Sequence, residues 1–459
     1  MSPRVTCMSP SRWIATWEPE DETFWSSTGR PIARRNLIFS IFAELLGFSV
    51  WLLWSVTATR LNDAGFDLSS GQLFTLVAVP ALVGATVRFP YTFAVPRFGG
   101  RNWTVFSALA LLIPTALLVV LVNDPTTPYW ALLLAAATAG LGGGNFASSM
   151  ANISFFFPDR EKGWALGLNA AGGNIGVAIL QLTAPVAITI GASLQLRNAG
   201  LMLMPFIVLA ALCAWRYMDN LSTARSSFRD QVVVARNRHT WIISWLYIGT
   251  FGSFIGYSAG LPLLMKQEFA DPNAIKYAFL GPLVGSIARP IGGKLADRLG
   301  GATVTLWNFS VMISAVLGVV VCLGETDGGW SFPVFVALFL VLFVTTGIGN
   351  GATFRMVPVI FRAHHVGPDS GDGGAQPDAL VTARRESAAV LGLTSAVGAY
   401  GGFLIPQGFG LSTNATGGPQ AALLAFAAFY GSCMALTWWC YLRRRVAVAR
   451  VPNLAWARP

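Results

Sequence analysis

The sequence predicts an all-α membrane protein with twelve transmembrane helices in two pseudo-symmetric six-helix halves. The first observation is composition: of 459 residues, 54% are hydrophobic and 11% are charged, and the mean hydropathy is +0.57. The second is a series of apolar windows that can each cross about 30 Å of hydrocarbon. The third is an internal repeat that places matching landmarks in both halves. A soluble domain of this size would carry far more charge.

Twelve apolar windows are each long enough to form a membrane-spanning helix. They lie near residues 37–59, 73–95, 103–123, 129–150, 163–190, 199–219, 240–264, 275–296, 302–323, 331–355, 383–408 and 418–442. They divide the chain into a tail, an N-terminal half, a basic linker, a C-terminal half and a basic tail, at residues 1–36, 37–219, 220–239, 240–442 and 443–459. We expect the first tail to lie on the membrane surface or to be partly ordered. Residues 363–383 have no apolar period, so we expect a mobile cytoplasmic loop there.

The distribution of Lys and Arg predicts the orientation of these helices. If both termini are cytoplasmic, nearly all of the 31 basic residues lie on the cytoplasmic side or inside a span. Only Arg60, Arg197, Lys266 and Lys276 lie on the opposite side. This is the positive-inside bias, so the net charge of +10 reflects topology in a lipid bilayer and not nucleic-acid binding.

Two arginines occupy equivalent positions of the internal repeat. LVGATVRFPYTFAVPRFGG begins at Leu82 and LVGSIARPIGGKLADRLGG begins at Leu283, a constant 201 residues later, with seven of nineteen positions identical. Arg88 and Arg289 each lie within the apolar part of their copy. An arginine at bilayer depth costs about 2.5 to 3.5 kcal/mol on insertion scales, so the pair predicts a shared, water-accessible anion site.

The acidic residues indicate what the two arginines bind. Of the 21 Asp and Glu, only Glu44 lies inside a predicted span, and its position near the span end allows it to pair with a loop cation instead. An arriving anion would supply the missing counter-charge. The planar guanidinium group suits nitrate, nitrite or a carboxylate, and tetrahedral phosphate also satisfies this argument.

Aromatic and amide side chains add to the predicted site. Phe146 and Asn174 lie on the glycine-rich spans four and five. Tyr247 and Phe251 are four residues apart in span seven and therefore share a helix face. Aromatic faces on both sides of a flat anion would exclude bulky, strongly hydrated anions, although any one of these rings taken alone is more often plain packing.

Spans four, five, ten and eleven are rich in glycine, which lets helices pack closely and lets the halves rock. The predicted conformational hinge consists of Gly142, Gly143, Gly144, Gly173, Gly176, Gly349, Gly398 and Gly401. Several of these correspond between the halves, as Gly144-Asn145 does with Gly349-Asn350.

One stretch, GGGNFASSMANISFFFPDREKGWALGLNAAGGNIG, closely resembles the nitrate signature of the nitrate/nitrite porter family. GIGNGATFRMVPVIF with LGLTSAVGAYGGFLIP resembles the second-half counterpart, and GGKLADRLGG resembles a loop motif of the major facilitator superfamily. The resemblance covers nearly the whole chain. It implies the major facilitator fold and a bacterial inner-membrane carrier that moves nitrate inward and nitrite outward. The substrate-binding residues that it implies are Arg88, Arg289, Phe146, Asn174, Tyr247 and Phe251.

The resemblance and the charge pattern together predict nitrate/nitrite exchange by alternating access, without a cofactor or metal and by a monomer. Proton-coupled nitrate symport is the main alternative, but the spans offer only Glu44 as a titratable relay. A non-transporting nitrate sensor is a weaker alternative, since the tails are short. An enzyme is not expected, because no metal-ligand cluster, activated nucleophile or cofactor loop is evident.

Overall fold

The computed structural model describes residues 12–191, 193–224, 233–269, 274–324, 331–366 and 377–443. These residues are nearly all helical. The chain divides into two compact units, Met1–Ser227 and Phe228–Pro459, and the division falls within the predicted linker 220–239. Within the described ranges, the one sheet is a pair of parallel two-residue strands, β1 (Trp13–Ile14) and β2 (Asn220–Leu221).

Eleven helical segments in the described residues are long and apolar enough to cross a membrane. In the first unit these are spans 1 to 6, at Glu22–Arg60, Ser70–Phe98, Gly100–Leu121, Tyr129–Phe156, Asp159–Ile188 and Asn198–Tyr217. In the second unit they are spans 7 and 9 to 12, at Arg238–Glu268, Gly301–Gly324, Ser331–His365, Glu386–Thr416 and Gln420–Leu442. Span 8, the remaining predicted window, is the helix Leu280–Leu299. Its four charged residues, Arg289, Lys294, Asp297 and Arg298, all lie in the last eleven residues of the helix.

Several helices are interrupted or extended relative to these spans. Span 1 contains a π-helical turn at Trp25–Gly29 and the main helix Arg30–Trp51. Span 7 contains a π-helical turn at Ile248–Gly252. The helix of span 10 continues to Val366, and span 11 belongs to the helices Pro377–Ala399 and Gly401–Thr416. Of the predicted loop 363–383, therefore, both ends are helical, and residues 367–376 lie outside the described residues.

The described part of the N-terminal segment packs against its own half of the protein. β1 pairs with β2 just beyond span 6. The indole of Trp17 donates to the Phe156 carbonyl over 3.2 Å, and that of Trp25 donates to Glu161 over 2.9 Å. Both indoles are buried in a common apolar cluster. The expectation of a surface-bound or partly ordered tail is therefore replaced, from residue 12 onward, by a protein-bound segment.

The closing glycines of the two repeats end equivalent helices in the same way. Gly99 follows Ser70–Phe98 with a φ of 85°, and Gly300 follows Leu280–Leu299 with a φ of 87°. Residues that have a Cβ atom rarely adopt a φ in this positive range, so glycine is required at both turns. The next helix begins directly afterwards, at Gly100 in one half and Gly301 in the other. The sequence repeat is thus a structural repeat.

Candidate functional site

Arg88 is fully buried in span 2 and is held by span 4 of the same half. Its Nε donates to the carbonyl of Gly143 over 3.0 Å. The centre of its guanidinium group lies 4.7 Å from the ring centroid of Phe146 and 5.2 Å from that of Trp51. Both distances are within the range of a cation–π interaction. The structure thus brings the predicted residues Arg88 and Phe146 into contact.

Trp51 was not predicted as a site residue. Its indole Nε1 donates to the carbonyl of Pro80 over 2.8 Å, and its ring occupies space left by Gly84 and Gly143. The ring of Phe48 meets it edge-on at 5.3 Å. One feature of the sequence could have indicated this role, because Gly84 lies one helical turn before Arg88 and leaves room for a large ring.

Arg289 is buried in span 8, and an aromatic residue that was not predicted as a site residue lies beside it. Its guanidinium centre lies 5.7 Å from the ring centroid of Phe354 in span 10. Phe354 lies 6.2 Å from Tyr247, which stacks on Phe251 at 5.3 Å with an interplanar angle of 22°. The three rings therefore form a continuous aromatic row that begins at Arg289.

The two arginines thus have aromatic partners that do not correspond in the repeat. The pairing of Gly144-Asn145 with Gly349-Asn350 places Gly351 where the first half has Phe146. A Cβ atom at Gly351 would collide with the carbonyl oxygen of Arg289, because spans 8 and 10 approach closely there. The ring is supplied instead by Phe354, about one turn further along span 10. Sequence alignment of the halves could not have located it.

Asn174 is buried in span 5 of the first half. Within the described residues its Oδ1 has no hydrogen-bond partner, so one polar group of this side chain remains available. Its assignment to the site is a prediction that the contacts within this half leave open. Arg88, Phe146 and Asn174 belong to the first unit, and Arg289, Tyr247 and Phe251 belong to the second.

Glu44 connects three helices of the first half. It is buried, and its Oε2 accepts from the hydroxyl of Ser149 in span 4 and from Asn169 Nδ2 in span 5 at 2.7 Å. Asn169 also donates to Ser149 Oγ over 2.6 Å, and Ser40 Oγ lies 2.9 Å from the same atom. These donors lie inside the helical bundle, whereas the sequence had suggested that Glu44 could pair with a loop cation.

The predicted hinge glycines all lie where another group approaches the helix backbone. A Cβ atom would meet Trp51 at Gly143, Tyr91 at Gly144, and Glu44 at Gly173. The remaining contacts are with the carbonyl of Gly47 at Gly142, the carbonyl of Leu45 at Gly176, Asn308 at Gly349, Tyr247 at Gly398 and Gly252 at Gly401. Close packing is therefore an observed role of these positions, and hinge motion remains a prediction.

The three histidines of the chain come together in the second half, at the end that the charge pattern predicts to be cytoplasmic. His239 Nδ1 lies 3.1 Å from the hydroxyl of Tyr441, and its ring lies 6.4 Å from that of His364. His365 Nε2 lies 2.8 Å from Glu386 Oε2. No group of three or more metal-ligating side chains with suitable geometry occurs among the residues that the structure describes.

Comparisons with known proteins agree with the fold and with the sequence resemblance. A family model described as Major Facilitator Superfamily matches residues 37–369. The chain is 44% identical over 447 residues to the nitrate/nitrite transporter NarU of Escherichia coli (strain K12), covering 94% of this chain and 96% of that protein. It is 38% identical over 456 residues to the probable nitrate/nitrite antiporter NarK2 of Thermus thermophilus, covering 94% and 97%.

A solved structure supports the fold alone. It is the crystal structure of a bacterial homolog of the human lysosomal transporter Spinster, in an inward-facing and occupied conformation. The TM-score is 0.63 at 15% identity, and the match covers 89% of this chain and 97% of that chain.

Proposed function

The chain belongs to the nitrate/nitrite porter family of the major facilitator superfamily, and we propose that it imports nitrate in exchange for nitrite by alternating access. Its relatives NarU and NarK2 carry nitrate and nitrite in their names, and they match over nearly their whole length. We propose further that the chain lies in a bacterial inner membrane. The basic residues favour cytoplasmic termini, because almost all of those outside the spans would then face the cytoplasm.

The observation that carries this proposal is the pair of buried arginines at equivalent repeat positions. Arg88 and Arg289 each lie at the same point of a duplicated helix, and each has an aromatic ring beside its guanidinium group. A buried positive charge is costly unless it is neutralised. A bound monovalent anion would offset part of this positive charge, and the planar guanidinium groups would hold a planar oxyanion through paired hydrogen bonds.

The neighbouring side chains support selectivity for a flat anion. In this proposal the rings of Phe146 and Phe251 cover the faces of the anion, while Tyr247 and Asn174 supply donors to its oxygens. Phe146 contacts Arg88 in the first half, and Tyr247 stacks on Phe251 in the second half. A tetrahedral phosphate is bulkier and more strongly hydrated than a flat anion, so it would lose more hydration beside these apolar rings.

Exchange is favoured over proton symport by the environment of Glu44. This carboxylate accepts hydrogen bonds from Ser149 and Asn169 and so fastens span 1 to spans 4 and 5. We assign it a structural role. In the exchange mechanism, the carrier without cargo lacks the contacts that an anion makes with the two guanidinium groups, which penalises the crossing step. Nitrate or nitrite removes that penalty, and the close-packed glycines allow the helices to slide as the halves rock.

One chain contains both arginine repeats, so we propose that a monomer is sufficient for transport. Purified protein reconstituted into liposomes at one molecule per vesicle on average should still exchange the two anions. Loss of all exchange at this dilution, with recovery only at higher protein density, would contradict the monomer.

The function is tested by measuring nitrate uptake into proteoliposomes with the pH clamped and nitrite inside. Internal nitrite should accelerate uptake, and a proton gradient alone should not. Uptake that followed the proton gradient and ignored internal nitrite would establish symport instead.

The site is tested in the same assay with Arg88→Lys and Arg289→Lys. Each should reduce exchange at least tenfold, because lysine cannot form the paired contact. Arg197→Lys, at an exposed position, is the control and should transport normally. Normal exchange by either of the first two variants would refute the site.

A further inference from the structure

We infer that Trp51 is a positioning residue of the anion site, which fixes the guanidinium group of Arg88 and thereby sets the affinity for the anion. This inference rests on the proposed role of Arg88. Trp51 lies on span 1 and is almost completely buried, and its ring lies 5.2 Å from the guanidinium centre. The argument depends on how the indole itself is held.

Two glycines form the slot that holds the indole. A Cβ atom at Gly84 would lie 2.5 Å from Nε1 of Trp51, and one at Gly143 would lie 2.5 Å from its Cε2. Real Cβ atoms do not approach so closely, so any side chain at either position would push the ring away. Gly84 is in span 2 and Gly143 is in span 4, and the ring of span 1 therefore lies between two other helices.

A hydrogen bond and a ring contact also fix the orientation of the indole. Its N–H donates to the Pro80 carbonyl over 2.8 Å, which fixes its rotation about the side-chain bonds. Phe48 meets the ring at an interplanar angle of 90°. A tryptophan with both its edge and its polar group engaged loses its alternative rotamers, and it therefore offers Arg88 a fixed surface.

Arg88 and Trp51 share one of these contacts. Gly143 leaves the space for the indole, and its carbonyl accepts the hydrogen bond from Arg88 Nε over 3.0 Å. Gly84 lies one turn before Arg88 on the same face of span 2. The guanidinium group consequently lies beside the rings of both Trp51 and Phe146, and its Nε is bonded to the backbone. An arginine held in this way loses less conformational entropy when it binds an anion.

The second half contains a corresponding glycine slot that is filled by a different ring. FSVWLLWS and FGSFIGYS, which begin at Phe48 and Phe251, align Trp51 with Phe254. The glycine one turn before Arg289 is Gly285, and a Cβ atom there would lie 2.9 Å from Cε2 of Phe254. An aromatic ring of the first helix of each half thus fills the space beside the glycine that precedes the arginine. The first half uses tryptophan, whose N–H adds the bond to Pro80.

The test compares Trp51→Phe with Trp51→Leu in nitrate counterflow. Phenylalanine keeps an aromatic face, whereas leucine removes it. We expect KM for nitrate to rise about two- to threefold in Trp51→Phe and about tenfold in Trp51→Leu, with the maximal rate within a factor of two. Gly84→Ala, which displaces the indole without removing it, should raise KM as well.

The matched controls are Trp17→Phe and Trp17→Leu, which remove an equivalent indole–carbonyl bond in the same half. They should lower the melting temperature without changing KM. A nitrate KM in Trp51→Leu equal to that of the unmodified protein would overturn the inference, as would equal KM values in the Trp51 and Trp17 pairs. If Trp51→Leu does not fold, an unchanged KM in both Trp51→Phe and Gly84→Ala would overturn it. Arg88→Lys separates the two proposals, because its normal activity would refute the anion site itself.

Discussion

Replacing Gly173 by alanine tests whether the glycines of span 5 are needed for packing. A Cβ atom at Gly173 would lie 2.6 Å from Oε1 of Glu44, 2.9 Å from its Cγ and 3.0 Å from its Cδ. The Glu44 carboxylate must therefore move. Its hydrogen bonds to Ser149 and Asn169 would then be stretched or lost.

The expected magnitude follows from two opposing effects. Losing a hydrogen bond to a charged group costs about 1.5 to 3 kcal/mol. Alanine is a better helix former than glycine by about 1 kcal/mol, which offsets part of that loss. We therefore expect Gly173→Ala to destabilise the protein by about 0.5 to 2 kcal/mol.

Span 5 also supplies the control. Gly167 lies in the same helix, but a Cβ atom there would meet no other atom within 4 Å. Gly167→Ala should therefore keep or raise the melting temperature of the purified protein in detergent, whereas Gly173→Ala should lower it. The double variant Glu44→Ala/Gly173→Ala should lose less stability than the sum of the losses in the two single variants, because the carboxylate that the new Cβ atom would crowd is gone. Equal melting temperatures for Gly173→Ala and Gly167→Ala would refute the reasoning.

Three further predictions concern other contacts. Glu44→Gln should leave nitrite-driven nitrate uptake at clamped pH within a factor of two, since exchange needs no proton; selective loss of uptake driven by a proton gradient would indicate symport. Phe354→Leu should raise the nitrate KM about two- to tenfold by removing the ring beside Arg289, and an unchanged KM would show that this ring is only packing. Trp25→Leu should lower the melting temperature by removing the buried indole and its bond to Glu161, and an unchanged melting temperature would show that the N-terminal segment does not stabilise the first half.

The fold could be predicted from sequence because membrane helices follow from composition, and the family assignment is confirmed. The repeat in the sequence also corresponds to a repeat in backbone conformation, since Gly99 and Gly300 have nearly the same positive φ. The start of span 1 could not be predicted from hydropathy. Asp21 caps the helix at Glu22 through polar contacts, and the following polar turn extends it before the apolar window begins.

Sequence alone could predict those candidate site residues whose type is unusual inside a membrane span. A buried arginine is costly enough to be noticed in any membrane sequence. Trp51 and Phe354 were missed because an aromatic residue in an apolar helix is usually packing, and only the helix crossing decides which ring reaches the charge. The crossing of spans 8 and 10 excludes a side chain at Gly351 and so moves the ring to Phe354.

The pairing of β1 with β2 joins a strand that is synthesised early to one that is synthesised only after span 6. Residues 13–14 lie at the start of the chain, but their partners, residues 220–221, follow span 6. The ribosome must therefore produce the whole first half before this pairing can form. The pairing therefore joins the first described residues of this unit to residues close to its end at Ser227.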